Sequence, residues 1–143
     1  MILLLSTSDT DLITADASGA PYRVANPSRL LIDDVPAMVA EADLTVVRIL
    51  GGRRAWEDGL DAVLSVGKPV VVLSGEQQPD PDLMAYSTVP AGVAADAHNY
   101  LAFGGVPNLV NLYNFLSDTV LLSGLGFDSP QHTPAWGILD RPG

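Results

Sequence analysis

An arginine set inside one apolar run and a glutamate just past another are the residues of this chain best placed to do chemistry. Arg48 interrupts Leu44-Thr-Val-Val-Arg-Ile-Leu50, which ends in Gly51-Gly52, and Glu76 closes Ser74-Gly75-Glu76 after Pro69-Val-Val-Val-Leu73. A buried guanidinium must be paired, because an unpaired one costs several kcal/mol. Asp43, Glu76 or a strand-end carbonyl would satisfy Arg48 structurally, and a ligand carboxylate would fit its planar fork. Structural pairing stands ahead of ligand contact, and both stay open. Glu76 reads first as a solvated loop carboxylate and second as a metal or acid–base group.

Other candidates carry less. His98 falls beside the apolar stripe of a helical stretch, where a histidine usually bonds to backbone or water. A metal could take a ring nitrogen, yet no second histidine sits four residues away, and His132 has only Asp128 near it. Ser6-Thr-Ser-Asp-Thr10 follows the first apolar run, so its hydroxyls either cradle an anion or cap a helix, capping being favoured. There is no Walker sequence, no Gly-x-Gly-x-x-Gly after the first strand and no Gly-x-Ser-x-Gly elbow. Ser123-Gly-Leu-Gly-Phe127 has no strand before it. The acid pairs Asp33-Asp34 and Glu57-Asp58 read as solvated helix starts, and Trp56 and Trp136 as core or docking residues. No metal site is expected, and no residue is assigned to catalysis.

The elements that must position these groups are legible from the apolar pattern. Short β-branched runs that close on glycine and a charge are buried parallel strands, and open α/β sheets bind ligands at the strands' C-terminal edge. Strands are expected over Ile2 to Leu5, Tyr22 to Ala25, Leu44 to Leu50 and Pro69 to Leu73. Between them, Ser8 or Asp9 caps a helix over Thr10 to Ala17 with an apolar stripe of Leu12, Ile13 and Ala17. A second helix starts at Asp33 or Asp34 with Pro36 in its first turn. A third runs from about Arg53 to Ser65, closed by Gly67. Gln77 to Asp82 reads as polar loop, while Pro90 to Phe103 and Pro107 to Leu122 read as helices. The spacing predicts an α/β fold: a small doubly wound, flavodoxin-like parallel sheet flanked by helices, with a helical C-terminal part. Residues 1–123 form this head domain, and 124–143 read as an extended tail or a linker to further domains, as in an excised piece of a longer chain.

Composition sets bounds. The 143 residues include 48% apolar and 17% charged types, which suits one folded domain. Cysteine is absent, so there is no thiolate chemistry. Seventeen acidic against seven basic residues give a net charge of −10, which disfavours nucleic acid and anionic membranes as partners. The opening Met1-Ile-Leu-Leu-Leu5 is too short for a signal peptide, and no run approaches ~18 apolar residues. A cytoplasmic location is expected.

Several segments, in order, are familiar. They are Leu3-Leu-Leu-Ser-Thr-Ser-Asp-Thr-Asp-Leu12, Tyr22-Arg-Val-Ala-Asn-Pro27, Val47-Arg-Ile-Leu-Gly-Gly52 with Trp56, and Val72-Leu-Ser-Gly-Glu76. Ser87-Thr-Val-Pro-Ala-Gly92 and Ala97-His-Asn-Tyr-Leu-Ala-Phe-Gly-Gly-Val-Pro-Asn-Leu109 follow. Together they resemble the N-terminal region of the large subunit of aerobic cobaltochelatase, the CobN type, related to the magnesium-chelatase H subunit. The resemblance implies an ATP-dependent complex that inserts cobalt into hydrogenobyrinic acid a,c-diamide during cobalamin synthesis. It implies that the large subunit carries macrocycle and metal while separate AAA-type subunits hydrolyse ATP, which agrees with the missing Walker sequence. By the same resemblance Arg48, Trp56, Glu76, His98 and Tyr100 are candidate macrocycle-binding residues, and no cofactor belongs to this domain itself. The family's subunit is many times longer, so the domain is expected to be inactive alone and to act as a macrocycle lid or a subunit-docking element. The competing expectation is a free-standing flavodoxin-like binding module for a small anion or nucleotide.

Overall fold

Strand β1 (Ile2–Ser6) is buried at every position, which a strand achieves only when both faces of its sheet are covered. The computed structural model, which describes residues 1–122 and Pro130, supplies those covers. Four parallel strands lie in the order β2-β1-β3-β4, with β2 Tyr22–Ala25, β3 Leu44–Ile49 and β4 Val70–Ser74. The register sets Ile2 beside Tyr22 and Leu44, Ser6 beside Arg48, and Arg48 beside Leu73. This is the doubly wound, flavodoxin-like order, whose winding reverses between β1 and β3.

Alternation of side chains divides the core in two. Ile2, Leu4, Leu44, Val46, Val71 and Leu73 face α1 (Asp9–Ala17), α5 (Ala91–Phe103) and α6 (Val106–Thr119). Leu3, Leu5, Val47, Ile49, Val70 and Val72 face α2 (Val35–Glu41), α3 (Glu57–Ser65) and the short α4 (Pro81–Met84). Each such side chain, fully buried, contributes about 1.5–3 kcal/mol relative to exposure, which is how four short strands hold together.

The two sheet edges are treated differently. Along β4, the N–H groups of Val70 and Val72 donate to the hydroxyls of Thr88 (3.0 Å) and Ser87 (2.8 Å), and Thr88 N–H donates back to the Val70 carbonyl (2.9 Å). Side chains therefore stand in for a fifth strand. Among the described residues nothing comparable lies along β2.

The expected strands and the order of helices hold, with local differences. In α1 the buried residues are Asp11 and Ala15, and of the expected apolar stripe only Leu12 packs against the core, while Ile13 is 69% exposed and Ala17 faces solvent. The Asp11 face turns inward because it carries the partner of Arg48. The helix expected from Arg53 begins with a 3-10 turn, Arg53–Trp56. A 3-10 turn, Ile32–Asp34, likewise precedes α2. Helix α4 rises inside what reads as polar loop, because Asp80 accepts from the N–H groups of Asp82 and Leu83 and Pro81 opens the first turn. The expected tail, with Ser123-Gly-Leu-Gly-Phe127, His132 and Trp136, lies outside the described residues.

Candidate functional site

Arg48 is the hub of a buried polar cluster beneath the C-terminal edge of the sheet. Its even position on β3 aims it at the α1 and α5 side, where Nη1 reaches Asp11 Oδ1 at 3.0 Å and Oδ2 at 2.8 Å. Both groups are nearly closed to solvent, Arg48 at 5% and Asp11 at 6% exposure. Nε donates to the Ser74 carbonyl at 3.0 Å, and Nη1 also lies 3.5 Å from the Leu101 carbonyl. The partner is thus Asp11, not Asp43 or Glu76, although a strand-end carbonyl does take part. Asp43 instead pairs with the N-terminal ammonium, which holds its carboxyl below the usual range.

The serine-rich turn after β1 is spent on the same cluster. Ser6 Oγ donates to Asp11 Oδ2 (2.8 Å), Ser8 is the N-cap of α1, and Thr7 Oγ1 accepts from Leu50 N–H (3.0 Å). Capping wins over an anion cradle. At the point where the winding reverses, the place of a bound anion is taken by the protein's own carboxylate, so the geometry does not favour a flavodoxin-like anion or nucleotide module.

Glu76 and His98 join from the β4 side. Gly75 N–H donates to the Ile49 carbonyl (2.8 Å), drawing the β4 exit so close to β3 that a Cβ at Gly75 would stand 2.7 Å from Leu50 N. The next turn is tied by Glu76 N–H to Ser74 Oγ (3.0 Å) and by His98 Nε2 to the Glu76 carbonyl (3.0 Å). A carbonyl only accepts, so His98 Nε2 carries the proton, and buried Nδ1 has no partner among the described residues. His98 is 1% exposed, whereas the Glu76 side chain points into solvent.

The structure therefore brings Arg48, Glu76 and His98 together and leaves the other two candidates apart. Tyr100 is wholly buried under the sheet, its ring 5.5 Å from Phe115. Trp56 stands on the opposite face, half-buried, with its indole over Gly59 so closely that a Cβ there would overlap the ring. Beside Trp56 a cleft of about 680 Å³ is lined by Ile32 and Arg54 to Gly59, and a second of about 750 Å³ runs from Arg54 to Tyr86. Arg53 is held by Glu57 (3.4 Å) and Asp61 (3.1 Å) and lies over the Tyr86 ring, while Arg54 is exposed and makes no ion pair among the described residues.

Sequence reasoning passes over Asp11 and Arg54. The signal for Asp11 is its spacing of four from Ala15, which an apolar-only stripe discards. Arg54 has none beyond its place after Gly51-Gly52. Among the described residues no three His, Asp or Glu side chains gather in a metal-holding arrangement, and no helix is long and apolar enough to cross a membrane.

No family model matches the chain. It is 26% identical to aerobic cobaltochelatase subunit CobN of Pseudomonas aeruginosa, over 148 aligned positions covering 93% of the chain and 12% of that protein. It is 57% identical to the catalytic subunit of cobaltochelatase from Mycobacterium tuberculosis, whose solved structure superposes with a TM-score of 0.91 over 99% of the chain. The chain spans 12% of the length of each. The resemblance carried by the motifs is borne out in sequence and in fold.

Proposed function

We propose that this chain, similar along nearly its whole length to a segment of cobaltochelatase catalytic subunits, works as one domain of such a large subunit in the cytoplasm. The complex would insert cobalt into hydrogenobyrinic acid a,c-diamide, with ATP hydrolysed by AAA-type partner subunits. The observation that carries this reading is 57% identity to the catalytic subunit sustained over 99% of the chain, with a TM-score of 0.91.

Within that complex the domain positions rather than chelates. The five candidate macrocycle contacts sort into two kinds. Trp56 and Glu76 stand half-buried and exposed at the C-terminal edge, open to an incoming ring. Arg48 and His98 are buried and hold the loops beneath it, a ring carboxylate reaching Arg48 only by displacing Asp11, and Tyr100 is core packing against Phe115.

The test is cobalt insertion by the reconstituted complex with hydrogenobyrinic acid a,c-diamide, ATP and the AAA-type subunits. Removing this domain from the large subunit should abolish insertion. Trp56→Phe with Glu76→Gln should weaken ring binding, read by absorbance titration, with circular dichroism unchanged. Unaltered affinity in that double variant would confine the domain to subunit docking, and undiminished insertion without the domain would sink the reading.

A further inference from the structure

We propose that the open edge of β2 is a docking seam for an extended segment supplied by the remainder of the large subunit, which adds beside β2 as a further strand. The inference rests on the reading that this chain is one domain of such a subunit.

The sheet closes one of its edges and not the other. Ser87 and Thr88 satisfy the outer backbone of β4. On β2, apart from the Tyr22 N–H bond to Ala20 in the preceding turn, no hydrogen bond among the described residues leaves the outer edge. An uncovered strand edge is a ready template for a new strand, and proteins ordinarily blunt one with lysine, proline or a bulge. Tyr22-Arg-Val-Ala25 has no lysine or proline, and its arginine is engaged with Glu41 at 2.7 Å.

The surroundings fit a strand with one apolar and one basic side chain. Leu12, Ile13 and Val24 line a cleft of about 310 Å³ between α1 and β2, with Asp9, Asp16 and Arg29 around it. Ile13, 69% exposed, has no packing role inside the domain. Arg29 is bonded to Asp9 through both terminal nitrogens at 3.0 Å, which leaves Asp16 as the carboxylate of this cleft without an ion pair among the described residues.

Two arguments choose the occupant. The chain covers 12% of its relatives' length, so most of such a subunit lies outside this segment and is tethered to it. A second copy is the poorer fit, because two chains of net charge −10 repel and a symmetric edge pairing would set acidic flanks against each other.

The experiment is amide hydrogen exchange of residues 20–26 in the full-length large subunit and in the 143-residue chain. Protection of the outward-facing Val24 amide at least about tenfold greater in the full subunit, and lost with Ile13→Lys, is the expected result. Equal, fast exchange in both, with cobalt insertion intact, overturns the seam and leaves the functional reading standing. Protection in the short chain that rises with its concentration assigns the edge to a second copy and also overturns it. Failure of the full subunit to support insertion counts against the functional reading itself, and the seam falls with it.

Discussion

Arg48 and Asp11, 37 positions apart in the chain, meet inside the fold at 2.8 Å, both more than nine-tenths buried, so that the reversal point of the sheet is closed by an internal ion pair. Deleting one partner strands the other charge in a dry site, which costs roughly 3–5 kcal/mol. Arg48→Ala and Asp11→Ala should each lower stability by that order in urea unfolding. Asp11→Leu with Arg48→Met should lose far less, with a large coupling in the double-mutant cycle. Loss of ring binding in Arg48→Ala alone would then report unfolding, and the paired variant is the sounder probe.

Gly75 has no room for a side chain. Its Cβ would meet Leu50 N at 2.7 Å and Leu50 Cα at 2.9 Å, both rigid backbone. Gly75→Ala should cost about 1–3 kcal/mol in chemical denaturation by pushing the exits of β3 and β4 apart. Because Glu76 and His98 are tied to this turn, faster exchange should spread to the Glu76 amide.

Gly59 is the seat of the Trp56 indole. Gly59→Ala must expel the ring, which moves half-buried aromatic surface into water. The expected outcome is a red-shifted tryptophan emission, read in a Trp136→Phe background so that Trp56 is the sole emitter.

Ser87 and Thr88 replace a strand along β4. Either alanine variant leaves a buried strand amide without an acceptor, a loss of about 1–3 kcal/mol. Exchange at Val72 should quicken in Ser87→Ala and at Val70 in Thr88→Ala, each leaving the other amide largely unchanged.

Acid stability has a defined sign. Hydrogen bonds from Arg29 first and Asn26 second hold Asp9 below its ordinary 3.8, and the N-terminal ammonium does the same for Asp43. A carboxylate with a depressed folded pKa contributes stability that is complete above its unfolded value and is lost as pH falls through the folded one. Urea midpoints should therefore decline below about pH 5. Asp9→Asn should remove part of that decline, and 1 M salt should shrink the difference, since these pairs are exposed.

The apolar runs made β1, β3 and β4 legible, because a parallel strand covered on both faces must be apolar nearly throughout, whereas partly exposed β2 showed only as a short stretch between turn residues. The order of the large helices followed from the same periodicity. What escaped was polar. Asp11 carries no apolar signature, and its burial is decided by Arg48, which no local window contains. Likewise α4 arises from a single aspartate cap and a proline rather than from an apolar period. Trp56 and Glu76, both named as candidate ring contacts, belong to different faces of the sheet, a distinction set by the handedness of the crossovers and not by spacing.

The interior place of β1 bears on how the chain is made. Within this segment β1 is made before both of its neighbours, β2 and β3, and its register partners Tyr22 and Leu44 emerge 20 and 42 residues after Ile2. Until Leu44 arrives Ile2, Leu3, Leu4 and Leu5 have only the short β2 to pair with, and the long-range parallel pairing with β3 is slow to form. A nascent chain stalled between β2 and β3 would hold out an apolar strand with one edge still unpaired, which makes that interval of synthesis the natural window for a ribosome-associated chaperone and for aggregation when one is lacking.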